Sequence, residues 1–319
     1  MVLTQNDILE ILRHYNLGIY KSSKPMKHGH AAFAFLIQTT KGKFLLKEYS
    51  LHGRIHAIDL NRREFQAKVL EKLNDHGLTM PHLIRTKTGR LHIDYRNSRI
   101  FIQQYIEGRS VKRLTDAQSI QLAKIVGKIN LILNKINYGK EYESTEKKRF
   151  DNLNKLYKIR NIDLPKKRDE LYTHYNHFNF RMLKRALTHN DIRGDNIIVH
   201  KNKVRSVIDW DDLRETAVSY DLGVMIYGFF VRGSGVNEKQ IKIFLKEYQK
   251  YIYFNDEEKK ATYYFALLRI LEVIAFFQWK KSKLKSDKYA DKAMLFLARR
   301  YVSLEKFGLE RFISLFSHR

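Results

Sequence analysis

Residues 187–212, LTHNDIRGDNIIVHKNKVRSVIDWDD, hold two short apolar runs separated by a polar turn, and that pattern fixes the local chain path. Ile197, Ile198 and Val199 are followed by His200, Lys201, Asn202 and Lys203, then by Val204, Val207 and Ile208. Runs of this length bounded by turn residues read as two strands, so the spacing predicts a hairpin. A hairpin folds Asp209 back toward Asn196, and Asp191 stands five positions before that asparagine.

Two carboxylates and an amide in this arrangement suit phosphoryl transfer. Transfer from ATP leaves little covalent work for a protein, so catalysis rests on positioning the nucleophile and neutralising phosphate charge through divalent metal. Magnesium prefers oxygen ligands and usually takes one or two from protein. Asn196 and Asp209 fit that role, and Asp191 is then the acceptor of the proton from an incoming hydroxyl.

The order His189-x-Asp191-x4-Asn196, Ile208-Asp209-Trp210-Asp211 and Tyr220-Asp221-Leu222 resembles the signature of the aminoglycoside phosphotransferase and choline or homoserine kinase superfamily. The resemblance implies an α+β, protein kinase-like two-lobed fold with a small antiparallel-sheet N-terminal lobe and a larger, mostly helical C-terminal lobe. It also implies ATP and Mg2+ as cofactors, Asp191 as catalytic base, Asn196 and Asp209 as metal ligands, His189 as buttress of the catalytic loop and Asp221 as a mainly structural acid. Asn190 stands where glycine is common in that family, and Arg193-Gly194-Asp195 replaces the usual His-Pro-Gly.

Upstream, residues 34–49 read as two strands around a turn at 40–43, ending near Lys47. By the same resemblance Lys47 contacts the α- and β-phosphates, Glu64 on a following helix pairs with it, and Gly29 lies in a phosphate-covering turn. Glu71 competes with Glu64 for that pairing. Helical spacing runs over 58–73 with a stop at His76 and Gly77, strands are expected over 90–94 and 99–105, and Gln103 and Tyr105 lie in the segment whose backbone would meet adenine. The boundary is placed after residue 105, giving a nucleotide-binding lobe at 1–105 and a catalytic and substrate-binding lobe at 106–319.

Beyond it, Thr115 and Gln118 form a capping-box pattern before apolar residues at helical spacing, Leu122 to Leu133 and on to Ile136. Further helices are expected over 237–253, 257–281 and 287–307, with a loop at 232–235. The aromatic residues Tyr172, Tyr175, Phe178 and Phe180 read as helix packing, with ligand contact as the alternative. At the amino terminus, Thr4 and Asp7 mark a helix start, with no basic region ahead of an apolar core as a secretory signal would have. The most apolar helix, 263–279, carries Arg269 and Glu272 and falls short of the roughly 18 uninterrupted apolar residues of a membrane span.

Cysteine is absent, which excludes disulfides, thiolate metal sites and cysteine nucleophiles and fits a cytoplasmic protein. A formal charge of +26 creates a potential that attracts anions. It reads either as a solvated lysine-rich surface or as a means of meeting an anionic partner such as nucleic acid, acidic lipid or a phosphorylated sugar. The acceptor is expected to be a small molecule with a hydroxyl: an amino alcohol, hydroxy amino acid, sugar or aminoglycoside. For a polycationic aminoglycoside, Asp211, Asp212 and Glu215 would have to supply local negative charge. The alternatives are a kinase of a membrane-associated glycolipid or protein, and a non-catalytic nucleic-acid-binding scaffold.

Overall fold

The computed structural model describes residues 3–26, 33–50, 60–139, 146–151, 153–283 and 288–317. The chain divides into two compact units, Met1–Gly108 and Arg109–Arg319, so the break falls three residues beyond the expected one. Gly29 lies outside the described residues.

The first unit is an antiparallel sheet with a helix on each face. Its strands are β1 (Tyr20–Pro25), β2 (Phe33–Thr39), β3 (Gly42–Ser50), β4 (Leu83–Ile84), β5 (His92–Tyr95) and β6 (Ser98–Gln104), in the order β1-β2-β3-β6-β4 with β5 also on β6. Successive side chains of a strand point to opposite faces. Phe44 and Leu46 of β3 therefore join Phe35, Ile37, Ile100 and Ile102 under α1 (Gln5–Leu12), in a core that includes Ile8, Ile11 and Leu12. The alternate residues, Lys47 and Tyr49, face the other way, where Tyr49 and Phe101 pack with Ala67 of α2 (Leu60–Asp75). Strand period thus puts Lys47 on the α2 side of the sheet, paired in register with Ala34 and Phe101.

Local chemistry ends these helices where the sequence says it should. Thr4 and Asp7 form the expected capping box, with the Thr4 amide donating to Asp7 Oδ2 at 2.7 Å. Hydrogen bonds from the Thr4 side chain and backbone and from Tyr95 push the Asp7 carboxyl down to about 2. Helix α2 closes in a Schellman motif: the Leu78 amide donates to Leu73 O at 3.1 Å and that of Gly77 to Asn74 O at 2.8 Å. Gly77 takes φ +77°, a conformation that costs glycine little.

The second unit is built on helices: α3 (Asp116–Leu133), α4 (Glu146–Asp151), α5 (Leu164–Asn176), α6 (Val218–Met225), α7 (Glu238–Tyr248), α8 (Asp256–Lys283), α9 (Lys288–Phe307) and α10 (Leu309–Ser314). Two strand pairs, β7 (Arg185–Thr188) with β10 (Arg214–Ala217) and β8 (Ile197–His200) with β9 (Lys203–Val207), carry the polar loops. Thr115 and Gln118 cap α3 as expected, although the helix ends at Leu133 and Ile136 lies beyond it. The loop expected at 232–235 is the tip of a small hairpin, β11 (Val231–Arg232) with β12 (Gly235–Val236), turning at residues 233 and 234. Helix α8 is long and apolar enough to cross a bilayer by length and composition, yet 67% of its apolar window is buried within the protein. That is the signature of a core helix. It approaches α6 at Gly223, where an added Cβ would lie 2.8 Å from Ala266 N and 2.9 Å from Thr262 O. Tyr175, Phe178 and Phe180 pack on one another and on Phe150, Tyr264 and Phe265, so helix packing accounts for the aromatic cluster.

Candidate active site

The expected β8–β9 hairpin forms, with Ile197 opposite Val207, around a turn in which Lys201 and Asn202 both take positive φ. That is the turn whose twist matches a two-stranded ribbon. Leaving β9, the Ile208 amide donates to Asn196 O at 2.9 Å, so the chain entering Asp209 is tied to Asn196. Asp209 itself is exposed and left-handed, at φ 65° and ψ 62°.

His189 joins the two loops. Its Nε2 lies 3.0 Å from Ile208 O, and its Nδ1 accepts the Asp191 amide at 3.3 Å. A neutral ring with the proton on Nε2 satisfies both contacts. The ring is fully buried and packs 4.7 Å from that of Trp210. This histidine therefore sets the spacing between the Asp191 loop and the chain that leads into Asp209.

Asn190 explains its own departure from glycine. It takes φ +66°, which asparagine tolerates better than most residues, and its side chain then works in the core. Nδ2 donates to Thr188 O and Oγ1 at 3.0 Å each, while Oδ1 accepts from Thr216 Oγ1 at 3.1 Å and Arg149 Nη2 at 3.3 Å. Its amide donates to Asp221 Oδ1 at 2.8 Å. Asp221 is wholly buried, and burial pushes its carboxyl up, against the backbone donors of Asn190 and His189.

The Asp191 carboxylate receives three donors. Arg269 Nη2 reaches Oδ1 at 2.8 Å; Asn196 Nδ2 and Arg193 Nε reach Oδ2 at 2.7 and 3.2 Å. A carboxylate offers roughly four lone-pair sites, so one is left open. Burial raises its pKa, but the adjacent Arg269 and then Arg193 outweigh that and hold it below the ordinary carboxylate value. An ionised, weakly basic carboxylate orients a hydroxyl more than it deprotonates one early, which suits a loose phosphoryl-transfer transition state.

Asn196 spends both amide protons on this residue, donating also to Asp191 O at 2.8 Å. Its amide is thereby locked, and Oδ1, which accepts no hydrogen bond from the described residues, is the atom left to bind a cation.

Behind Asp191 lies a network that sequence reasoning missed. Arg269 also reaches Glu272 Oε2 at 3.1 Å, and Glu272 accepts from Tyr220 Oη at 2.6 Å and Arg149 Nη1 at 3.2 Å. The Arg149 guanidinium donates to Tyr220 Oη at 2.7 Å and lies 3.9 Å from its ring centroid. Burial raises the Glu272 carboxyl, but Arg149 and Arg269 overcome it and lower it. The available signal was two opposite charges three positions apart in an otherwise apolar helix.

Of the acids expected to supply local negative charge, Glu215 does not face the site. Glu215 is buried and paired with Arg185, and Asp212 is held by Arg214 at 2.7 Å. Strand β10 turns Glu215 inward because it pairs with Leu187 across the sheet.

In the first unit, Lys47 is half-buried on β3 and Glu64 is the fifth residue of α2. The Glu64 carboxylate is engaged by Arg85, at 3.1 Å to Nη1 and 2.8 Å to Nη2. Gln103 lies in β6 opposite Leu45, and the Tyr105 amide donates to Lys43 O at 3.1 Å. The Gln104 amide is likewise taken by His82 O at 2.8 Å, so neither of these N–H groups faces a ligand.

The family model described as the phosphotransferase enzyme family matches residues 23–299, and the chain belongs to that family. It is a kinase, a phosphotransferase with an alcohol group as acceptor. Among solved structures, it is similar to an amicoumacin kinase in complex with AMP-PNP, Ca2+ and Ami, at TM-score 0.73 and 14% identity over 96% of this chain and 94% of that one. A microcompartment-associated aminopropanol kinase aligns at TM-score 0.70 and 15% identity over 98% and 100%. A choline kinase from Streptococcus pneumoniae aligns at TM-score 0.67 and 15% identity over 94% and 100%. At these identities the likeness establishes the α+β fold, with its antiparallel-sheet N-terminal unit and helical C-terminal unit.

Proposed function

We propose that this protein transfers the γ-phosphate of ATP to a hydroxyl of a small molecule, with Asp191 as the residue that accepts and orients that hydroxyl. The observation that carries the reading is the locked Asn196 amide, held by Asp191 and tied through the Ile208 backbone to Asp209. Asn196 Oδ1 and the Asp209 carboxylate are hard oxygen donors, two in number, which is the donor set magnesium accepts from protein when phosphates and water complete its shell. When bound, the ion neutralises charge on the phosphates.

The remaining roles belong to this chain's own groups. Arg269, Arg193 and Asn196 hold Asp191 ionised and fixed in direction. Lys47, with Glu64 on the α2 side of the same sheet, serves the triphosphate, because an ammonium meets phosphate oxygens as a compact charge. The Glu64–Arg85 pair is exposed on both sides and is worth little, so it does not oppose an exchange of partners when nucleotide binds.

The test is an ATP-consumption screen across hydroxyl-bearing metabolites and aminoglycosides, with Asp209→Ala as the blank. A hit absent from the blank is expected. No magnesium-ATP binding, or turnover unchanged in Asp209→Ala, sinks the proposal.

A further inference from the structure

Arg300, on α9, is 7% exposed yet meets no acid among the described residues. Its Nη2 donates to Gly228 O at 3.4 Å, its Nε has no partner, and its guanidinium lies 4.8 Å from the ring centroid of Phe296 and 5.7 Å from that of Tyr227. Burial pushes its pKa down to about 10; Tyr227 works the other way, and Arg232 adds repulsion. Arg232 is itself lowered, by burial and then by Arg113, and donates only to carbonyls, Lys112 O at 3.2 Å and Phe229 O at 2.6 Å. Among the described residues no carboxylate stands within ion-pair distance of the buried Arg300 or the half-buried Arg232, and the exposed Arg113 beside Arg232 adds a third positive charge. Arg149, Arg185, Arg193 and Arg269 in the same unit each have one.

A buried cation without a counter-ion is costly, and like-charge neighbours make it more so. Such a group persists where a ligand supplies the missing charge, and the guanidinium fork matches phosphate and carboxylate.

The position is also informative. Gly228 lies in a single π-helical turn, Ile226–Phe230, a distortion frequent at functional sites. An added Cβ at Gly228 would sit 3.1 Å from Arg193 Cβ, so the carbonyl that holds Arg300 belongs to a turn pressed on the Asp191 loop. From the other direction the Val111 amide donates to Gly194 O at 3.2 Å, which brings the segment bearing Lys112 and Arg113 to that loop too.

We propose that Arg300, Arg232 and Arg113 bind an anionic group, phosphate or carboxylate, carried by the acceptor. This rests on the phosphotransferase reading above and narrows its acceptor to anionic hydroxyl compounds. Polycationic acceptors are repelled at the same place.

The experiment uses the full chain without nucleotide. Inorganic phosphate is titrated at constant ionic strength against chloride while the melting temperature is read. At a hundredfold excess over Kd the wild type is expected to gain about 5 °C or more. Arg300→Met and the half-exposed Arg232→Gln are expected to lose that gain while keeping the shift produced by magnesium-ATP. Arg300→Met is also expected to melt higher than wild type in phosphate-free buffer, because it removes an unpaired buried charge. A phosphate shift that survives both variants, or its absence in the wild type, overturns the site.

A second arm separates a group on the acceptor from free phosphate. Wild type is expected to favour a phosphorylated sugar over the parent sugar by about tenfold or more in kcat/KM, the discrimination that a charged contact of about 1.4 kcal/mol gives, and Arg300→Met is expected to lose it. Phosphate binding without that discrimination overturns the assignment to the acceptor. If the phosphotransferase reading itself fails, no sugar is consumed in an Asp209-dependent way while the phosphate shift persists.

Discussion

Replacing Arg269 by methionine tests the network beneath Asp191 most directly. The Arg269–Asp191 and Arg269–Glu272 contacts are 2.8 and 3.1 Å, with side-chain exposures of 17%, 14% and 12% for Arg269, Asp191 and Glu272. Two unit charges about 4 Å apart attract by about 4 kcal/mol at an effective dielectric of about 20. Removing one partner of such a pair costs about 3–5 kcal/mol. Asp191 keeps Arg193 and Glu272 keeps Arg149, so the loss is expected at the lower end, about 3 kcal/mol by urea denaturation.

The pH dependence has a definite sign. A carboxylate held below its unfolded value stabilises the fold above that value, 3.8 for aspartate, and the contribution disappears as pH falls through the folded value. Arg269→Met raises the folded value of Asp191, so acid unfolding and the acid limb of the pH–rate profile are both expected to move to higher pH. Turnover is expected to fall about 10²-fold, because the carboxylate loses one of its three fixed directions. Arg269→Lys keeps the charge and restores the acid limb, but not the full rate. An acid limb that stays in place in Arg269→Met refutes the argument that Arg269 sets the ionisation of Asp191.

Other outcomes follow from particular contacts. In Gly127→Ala the added Cβ would meet the Tyr251 side chain at 2.5 to 2.9 Å, so a loss of about 1–3 kcal/mol is expected by chemical denaturation. Asp221→Asn keeps an acceptor for the Asn190 amide without a buried charge. Because burial raises the Asp221 carboxyl, the wild type loses stability as pH rises through the folded value, and Asp221→Asn is expected to flatten that slope. Asp221→Ala leaves the Asn190 amide unpaired and is expected to cost about 1–3 kcal/mol; equal stability of the two variants contradicts the account.

The parts legible in advance were those governed by neighbours in the chain. Short apolar runs bounded by turn residues located β2, β3 and the β8–β9 hairpin, and capping chemistry located the starts of α1 and α3. The approach of Asn196 to the chain entering Asp209 was legible because only a short hairpin separates them. Glu215 failed for the opposite reason: its environment depends on which strand lies beside β10, and pairing with β7 carries it to Arg185.

By itself, then, the sequence determined the element types, the hairpin and the residues of the phosphoryl-transfer signature, all set by interactions across a few to some twenty positions. Tertiary structure decided what surrounds them. Arg269 meets Asp191 from 78 positions away, Arg149 meets Glu272 from 123, and Arg300 reaches Gly228 from 72. Such pairs leave no periodic trace, because helix packing rather than chain spacing selects which charged groups share a buried site. The same packing leaves Arg300 without a counter-ion among the described residues, a property of its surroundings that no residue type encodes.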